Sequence, residues 1–363
     1  MHPCRGVPSH ATFKKNLKAQ GKTVNEACKD QSFMCSMPKR NLLLCFDAFG
    51  TLFWPKPTVA QQYGQVARQC GMAAGWTQVE LQSHLAAAIQ DEANVHPNYG
   101  KASGLGPTQW WTNVCLPNPR TMVPLIVDNV QSQVIYKTFQ PFARDQPLPA
   151  DLAPTLLKRF SSSRGYHVEQ DLVTTLKRLK KQKRSNMAFD RIVIGVVTNS
   201  DDRVPSVLSS FGLSVSPLRY GTFDKLPFGG QPCDIDFTCM SYDTGYEKPH
   251  ADMFRAAEHL LTQVVAAGDI QTVSEADLDT DSWQKLHVGD EDAKDVVGAL
   301  NAGWNPVLLD QDGKSAEVPS LEEQSNQSIS GVFQRHSTVR VQSIRNLVSW
   351  LLGETDRDRR CEA

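Results

Sequence analysis

Three stretches of the chain are apolar without alternation: Asn41-Leu-Leu-Leu-Cys-Phe-Asp47, Arg191-Ile-Val-Ile-Gly-Val-Val-Thr198 and Leu286-His-Val-Gly-Asp290. Such runs read as strands covered on both faces, and Pro306–Leu309 reads as a shorter fourth. Each of the first three ends in a polar turn, at Asp47, at Thr198-Asn-Ser-Asp201 and at Asp290. In an open parallel sheet that carboxyl edge is where ligands bind. About 140 residues separate the first two strands. Within them Gln61–Cys70 and Val79–Glu92 repeat apolar residues at helical spacing, and Pro149–Phe160 and Gln170–Lys183 do so less regularly. His96-Pro-Asn-Tyr-Gly100 and Gln109-Trp110-Trp111 break the helical pattern. This is too long for a single crossover helix and predicts a helical insertion. The pattern thus predicts an α/β fold: a Rossmann-like parallel-sheet core over residues 41–54 and 186–352, interrupted by a helical cap over 55–185. A disordered extension is expected over 1–40 and a frayed, charged tail over 353–363. Tyr220–Asp236, rich in Gly and Pro, and the polar stretch Asp310–Ser330 read as irregular, the second as a mobile loop.

Composition narrows the classes. The 363 residues hold 38 Lys+Arg against 39 Asp+Glu, a net charge of −1, which excludes a polybasic nucleic-acid binder and an acidic solvating tail as whole-chain readings. Hydrophobic residues at 40% and charged ones at 21% are ordinary globular usage. No apolar run reaches the ~20 residues that span a bilayer, so no membrane partner is expected. Residues 1–40 lack the apolar segment of a secretory signal. Their bases, Arg5, Lys14, Lys15, Lys18 and Lys22, leave a mitochondrial address as an alternative, and Met34 or Met37 as alternative starts. Nine cysteines without CxxC spacing argue against a zinc site or a disulfide framework. Reduced thiols in an intracellular protein, cytoplasmic and/or nuclear, fit best. The basic run Lys177–Arg184 reads as a solvated helix C-terminus, where cations suit the dipole, with nuclear import or phosphate binding as the alternative.

The strand-end residues carry the candidate chemistry. Asp47 offers a carboxylate nucleophile, able to accept a phosphoryl group covalently. Thr198 offers a hydroxyl, and the Asn199 turn offers backbone N–H groups, for phosphoryl oxygens. Lys248 offers a fixed positive charge against charge on the transferring group. Asp290, after a glycine at a strand end, can reach a hard cation. GxxxxGK[ST], GxGxxG, HExxH and GxSxG are all absent from the sequence.

In order and spacing, Phe46-Asp-Ala-Phe-Gly-Thr-Leu-Phe53, Val197-Thr-Asn-Ser200, Glu247-Lys-Pro-His-Ala-Asp-Met-Phe254 and Val288-Gly-Asp-Glu-Asp-Ala-Lys-Asp295 with Gly298–Gly303 resemble the haloacid dehalogenase-like hydrolase superfamily. The insertion motif, His96–Gly100 followed by Gln109-Trp110-Trp111, is similar to the branch related to the rhythmically expressed gene product of flies. The resemblance implies a capped Rossmann-like core that hydrolyses a small phosphorylated or acidic substrate with Mg2+. It implies Asp47 as nucleophile, Thr198 and Asn199 at the phosphate, and Lys248 as stabilising cation. Asp47, Asp290, Asp295 and the backbone carbonyl of Phe49 would form the metal set. Phosphatases of this superfamily carry a second Asp two residues after the nucleophile, which protonates the leaving group and then activates water. Here Phe49 occupies that position. Losing a general acid/base typically costs ~10²–10⁴ in rate. Alkyl phosphates should then be poor substrates, and acyl or aryl phosphates better ones. Two alternatives follow: a catalytically weak binding or regulatory protein of this fold, and a 2-haloacid dehalogenase, whose halide leaves without a proton. Trp110, Trp111 and Tyr99 are expected in the cap core, and His287 in strand packing. Glu291 and Asp292 are expected to be solvated or remote contacts of the metal.

Overall fold

A computed structural model of the chain describes residues 41–73, 75–112, 134–143, 146–181, 189–222, 232–268, 275–324 and 327–353. The expected extension over 1–40 and the tail from 354 onward lie outside the described residues, as do 182–188 of the basic run and its neighbourhood. The strands are β1 (Asn41–Phe46), β2 (Trp54–Pro55), β3 (Tyr166–His167), β4 (Arg191–Thr198), β5 (Phe237–Met240), β6 (Trp283–Gly289), β7 (Asn305–Leu309) and β8 (Val339–Val341). Six of them form a parallel sheet in the order β5-β4-β1-β6-β7-β8, and β2 pairs antiparallel with β3 in a separate ribbon. This is the Rossmann-like sheet the apolar runs predict. β1 lies between β4 and β6, with Leu44 opposite both Ile194 and Leu286.

Both faces of the sheet are covered, which is why its strands read as unbroken apolar runs. Leu42, Leu44 and Phe46 point into one core with Ile194, Val196, Leu286 and Val288. Leu43 and Cys45 point the other way, into a core with Phe237, Cys239, Met253 and Phe254. Each such buried side chain contributes about 1.5–3 kcal/mol of transfer free energy.

The helices are α1 (Val59–Gln69), α2 (Gln78–Val95), α3 (Val134–Phe139), α4 (Leu152–Phe160), α5 (Leu172–Lys181), α6 (Val204–Ser210), α7 (Ala251–Ala266), α8 (Val297–Asn301) and α9 (Ile344–Leu351), with short helical turns between some of them. α7 packs on β4 and β5, and α5 packs against α9. α1 and α2 begin slightly before their periodic positions because Thr58 and Thr77 each close a capping box, with Gln61 and Glu80. Three bases of the basic run are tied internally: Lys177 to the Gly212 carbonyl, Arg178 to the Ser349 hydroxyl and Lys180 to Asp236. The polar stretch read as a mobile loop is anchored instead. Asp310, buried, accepts from the Lys314 and Ser315 amides, and Pro319 and Leu321 exchange backbone hydrogen bonds with Arg340 of β8. Its polarity reflects satisfied turn groups, not the absence of structure. Among the described residues no helix is long and apolar enough to cross a membrane.

Candidate active site

The sheet order places the carboxyl ends of β4, β1 and β6 side by side, and so brings Thr198, Asp47 and Asp290 together. The Asp47 amide donates to the Val288 carbonyl (2.8 Å), fixing the turn after β1 against β6. Lys248 arrives from the segment before α7. Asn199 holds it there: its side-chain carbonyl accepts from the Lys248 amide (2.7 Å), and its side-chain amide donates to the Lys248 carbonyl (3.0 Å). Asn199 therefore orients the lysine as well as lining the site.

Lys248 Nζ donates to Asp47 Oδ1 (2.7 Å) and to Asp295 Oδ1 (2.6 Å). Burial opposes its charge, but the two carboxylates outweigh burial and hold its pKa above the ordinary lysine value. Burial likewise opposes the charge of Asp295, yet the His287 hydrogen bond and Lys248 keep that carboxylate well below the usual range. Asp295 is nearly saturated: Oδ1 takes Lys248 and His287 Nε2 (2.9 Å), and Oδ2 takes the Glu291 amide (3.0 Å). It serves mainly to orient its neighbours. Asp47 Oδ2 carries no protein hydrogen bond among the described residues.

His287 does more than pack. Burial lowers its pKa, so the neutral ring donates from Nε2 to Asp295 while its edge meets Phe254. The strand position was legible, but its partner lies in a later turn, so no local pattern marks the contact. Two glycines are fixed by the same crowding. A Cβ on Gly289 would fall 2.1 Å from the Asp295 carboxyl carbon, and one on Gly50, at φ +82°, would fall 2.3 Å from an Asp290 oxygen.

One oxygen from each of Asp47, Asp290 and Asp295 lies within 4.8 Å of the others. Asp290 accepts from the Thr51 hydroxyl (3.0 Å), yet burial and repulsion from Asp47 and Asp295 raise its pKa. Three carboxylates against one ammonium leave a formal excess of two negative charges around neutral His287. Clustered carboxylate oxygens with that excess fit a hard divalent cation, and thiol or imidazole donors are missing from the set. Asp290 faces a second hollow of 330 Å³ that Gly50, Asp310 and Asp312 also line.

On the other side Asp47, Thr198, Lys248 and Asp295 form the floor of a cavity of 580 Å³. Its roof comes from the insertion: Val59 and Tyr63 of α1, Leu85 and Ile89 of α2, and Phe160 of α4. Tyr99 and Trp111 also line it, so these two members of the expected cap core face the site, whereas Trp110 is buried behind them and donates to the His96 carbonyl. Glu291 and Lys294 pair with each other at the cavity edge, and Asp292 is exposed. Sequence reasoning missed Arg203 and Asp201. Arg203 lines the cavity, grips fully buried Asp201 through Nε and Nη2 (2.7–3.0 Å), and stacks on Trp111 at 4.6 Å. Trp111 Nε1 donates to the same carboxylate (2.9 Å). The acid-to-arginine spacing in Asp201-Asp-Arg203 was visible, but an adjacent pair on a loop is ordinarily a surface contact.

Relatives matching about three quarters of the sequence include proteins named as a hydrolase and as haloacid dehalogenase-like hydrolases, and the chain is similar to that superfamily. It is similar to an uncharacterized hydrolase of Schizosaccharomyces pombe, at 29% identity over 278 residues, 76% of this chain and 94% of that protein. Haloacid dehalogenase-like hydrolase domain-containing protein 3 of Bos taurus is 25% identical over 268 residues, 74% of this chain and 81% of its own. The crystal structure of a HAD phosphatase from Thermococcus onnurineus aligns over 86% of this chain and 99% of its own, with a TM-score of 0.44 and 16% identity. No protein-family profile matches the chain.

Proposed function

We propose that the chain is a Mg2+-dependent phosphohydrolase acting on a small phosphorylated metabolite, with Asp47 as nucleophile. The observation that carries this reading is the convergence of Asp47, Lys248, Asp290 and Asp295 at one sheet edge, with Asp47, Lys248 and Asp295 lining the cavity. Asp47, Asp290, Asp295 and the Phe49 carbonyl would hold the ion, which supplies charge neutralisation at the transferring phosphoryl group. Thr198 and the turn amides at Asn199 bind phosphoryl oxygens. Lys248, locked protonated, offsets their charge. Asp47 attacks through its unengaged Oδ2 and becomes a phosphoaspartate, which water hydrolyses.

Phe49 leaves neither step with a general acid/base from that position. Activated phosphates bypass the first deficit but not the second, so the phosphoenzyme should accumulate. With Mg2+ and an activated phosphate, wild type should release a burst of leaving group stoichiometric with enzyme, followed by slower phosphate release. Asp47→Asn should show neither. If wild type releases nothing above Asp47→Asn across a phosphate panel, this reading fails. Phe49 also favours a second reading, a weakly active binding or regulatory protein of the same fold, which robust turnover would remove. A 2-haloacid dehalogenase would release halide without metal. The charge excess of the acid cluster speaks against it.

A further inference from the structure

We propose that this site selects phosphate esters of phenols, with the flat aryl group held in the chamber above Asp47. The proposal rests on the reading of Asp47 as phosphoryl acceptor and adds the chemistry of the leaving group.

The chamber is built from rings. Phe49, Tyr63, Tyr99, Trp111, Phe160 and Tyr166 all line it. They form two contiguous groups. Phe49, Phe53 and Tyr166 meet at 4.7–5.7 Å, and Phe160 joins them through Tyr166 at 5.9 Å and reaches Tyr63 at 5.6 Å. Tyr99, Trp110 and Trp111 meet at 4.8–6.4 Å. Flat faces and edges of this kind favour another ring in offset or edge-to-face contact. The guanidinium among them, Arg203, is neutralised by Asp201 and lies over the Trp111 ring, so it extends the aromatic wall without making an anion site. Its Nη1 has no protein hydrogen bond among the described residues and is left to read an acceptor on the ring.

Proton supply points the same way. Asp47 and Asp295 are bonded to Lys248, and Glu291 is paired with Lys294. Among the described residues, no further carboxyl group lines the cavity. The leaving oxygen must therefore depart as an anion. A phenol ionises near ~10, whereas an alcohol resembles water at ~16. An acyl phosphate also leaves readily, but a small acyl group would leave a 580 Å³ aromatic chamber unfilled. In the first step the Asp47 Oδ2–phosphorus bond forms and the phosphorus–aryl oxygen bond breaks. The electron pair stays on the phenolate, which takes its proton from solvent. Water then attacks phosphorus, the Asp47–phosphorus bond breaks, and inorganic phosphate leaves with the carboxylate restored.

The test compares kcat/KM, with Mg2+, for phenyl phosphate, 4-nitrophenyl phosphate, acetyl phosphate and glycerol 3-phosphate. The aryl esters should exceed acetyl phosphate by about tenfold or more, with glycerol 3-phosphate lowest. Trp111→Leu should lower the aryl-to-acetyl ratio. So should Ala86→Trp, which fills the chamber from an exposed position and keeps the test alive if Trp111→Leu does not fold. Acetyl phosphate equal to or better than the aryl esters, or a ratio unchanged in Ala86→Trp, would overturn the aryl proposal while leaving Asp47 as nucleophile. No turnover of any substrate above Asp47→Asn would instead remove the reading beneath it.

Discussion

At position 49 a benzyl ring packs 4.7 Å from Phe53 and 5.7 Å from Tyr166, on the wall of the cavity that holds Asp47. Phe49→Asp restores a carboxyl to a half-exposed position. Hydrolysis of an alkyl phosphate should rise about 10²–10⁴-fold, read as initial rates of phosphate release. An unchanged rate would mean that more than this one group is missing. Asp201 shows the opposite situation, a charge with no exposure whose only role is to hold others. Asp201→Asn strands the half-buried Arg203 guanidinium and should cost about 2–3 kcal/mol in urea unfolding. Burial pushes the Asp201 pKa up, but Arg203 more than compensates and holds it below the ordinary value. A depressed acid contributes fully above its unfolded pKa of ~3.9 and loses that contribution as pH falls through its folded value. The gap between wild type and Asp201→Asn should therefore stay constant from about pH 5 to 8 and narrow below about pH 4. Asp47 and Asp290 could be found because each follows a recognisable strand, and Lys248 because it sits in the motif Glu247-Lys-Pro-His250. Arg203 and His287 could not, because what gives them meaning is a partner brought by the fold.

Among the elements, the turn after α2 carries the most local constraint. Asn98 and Tyr99 both sit at positive φ, +48° and +55°. Asn98 donates to the Ser241 carbonyl (2.7 Å) and accepts from the Ser241 hydroxyl (2.9 Å), which ties the insertion to the end of β5. Trp110 closes the loop on the His96 carbonyl (2.9 Å), and Tyr99 and Trp111 are left facing the cavity. Asn98→Ala loses both hydrogen bonds and keeps an unfavourable φ, an expected cost of about 2–3 kcal/mol. Asn98→Gly loses only the bonds and should cost less. Amide hydrogen exchange over residues 96–112 should show faster opening in that order, and equal protection in both variants would refute the role of backbone strain. The helical period could show that this segment breaks the pattern. A left-handed asparagine is not readable from it, because the contacts that hold it come from Ser241, far along the chain.

For the whole molecule, a net charge of −1 hides a local excess of two negative charges at the acid cluster. A cation that binds only the folded state stabilises it by mass action, by about 2.7 kcal/mol at a hundred times its Kd. Mg2+ added after EDTA should raise Tm by several degrees, and Asp290→Asn should remove most of that rise. A wild-type Tm indifferent to Mg2+ would argue against a cation at these carboxylates.

The apolar runs were sufficient to determine the parallel core and which strands end at the site. A strand buried on both faces has no freedom to alternate, so burial is written directly into composition. The short strands β5 and β8 carry too few residues for that signal. The order of the strands, the grip of Asn199 on Lys248, the chain from Lys248 through Asp295 to His287, and the neutralisation of Arg203 by Asp201 were decided only in three dimensions. Each depends on long-range contacts or on burial, which strengthens a charge pair by removing the water that would otherwise screen it.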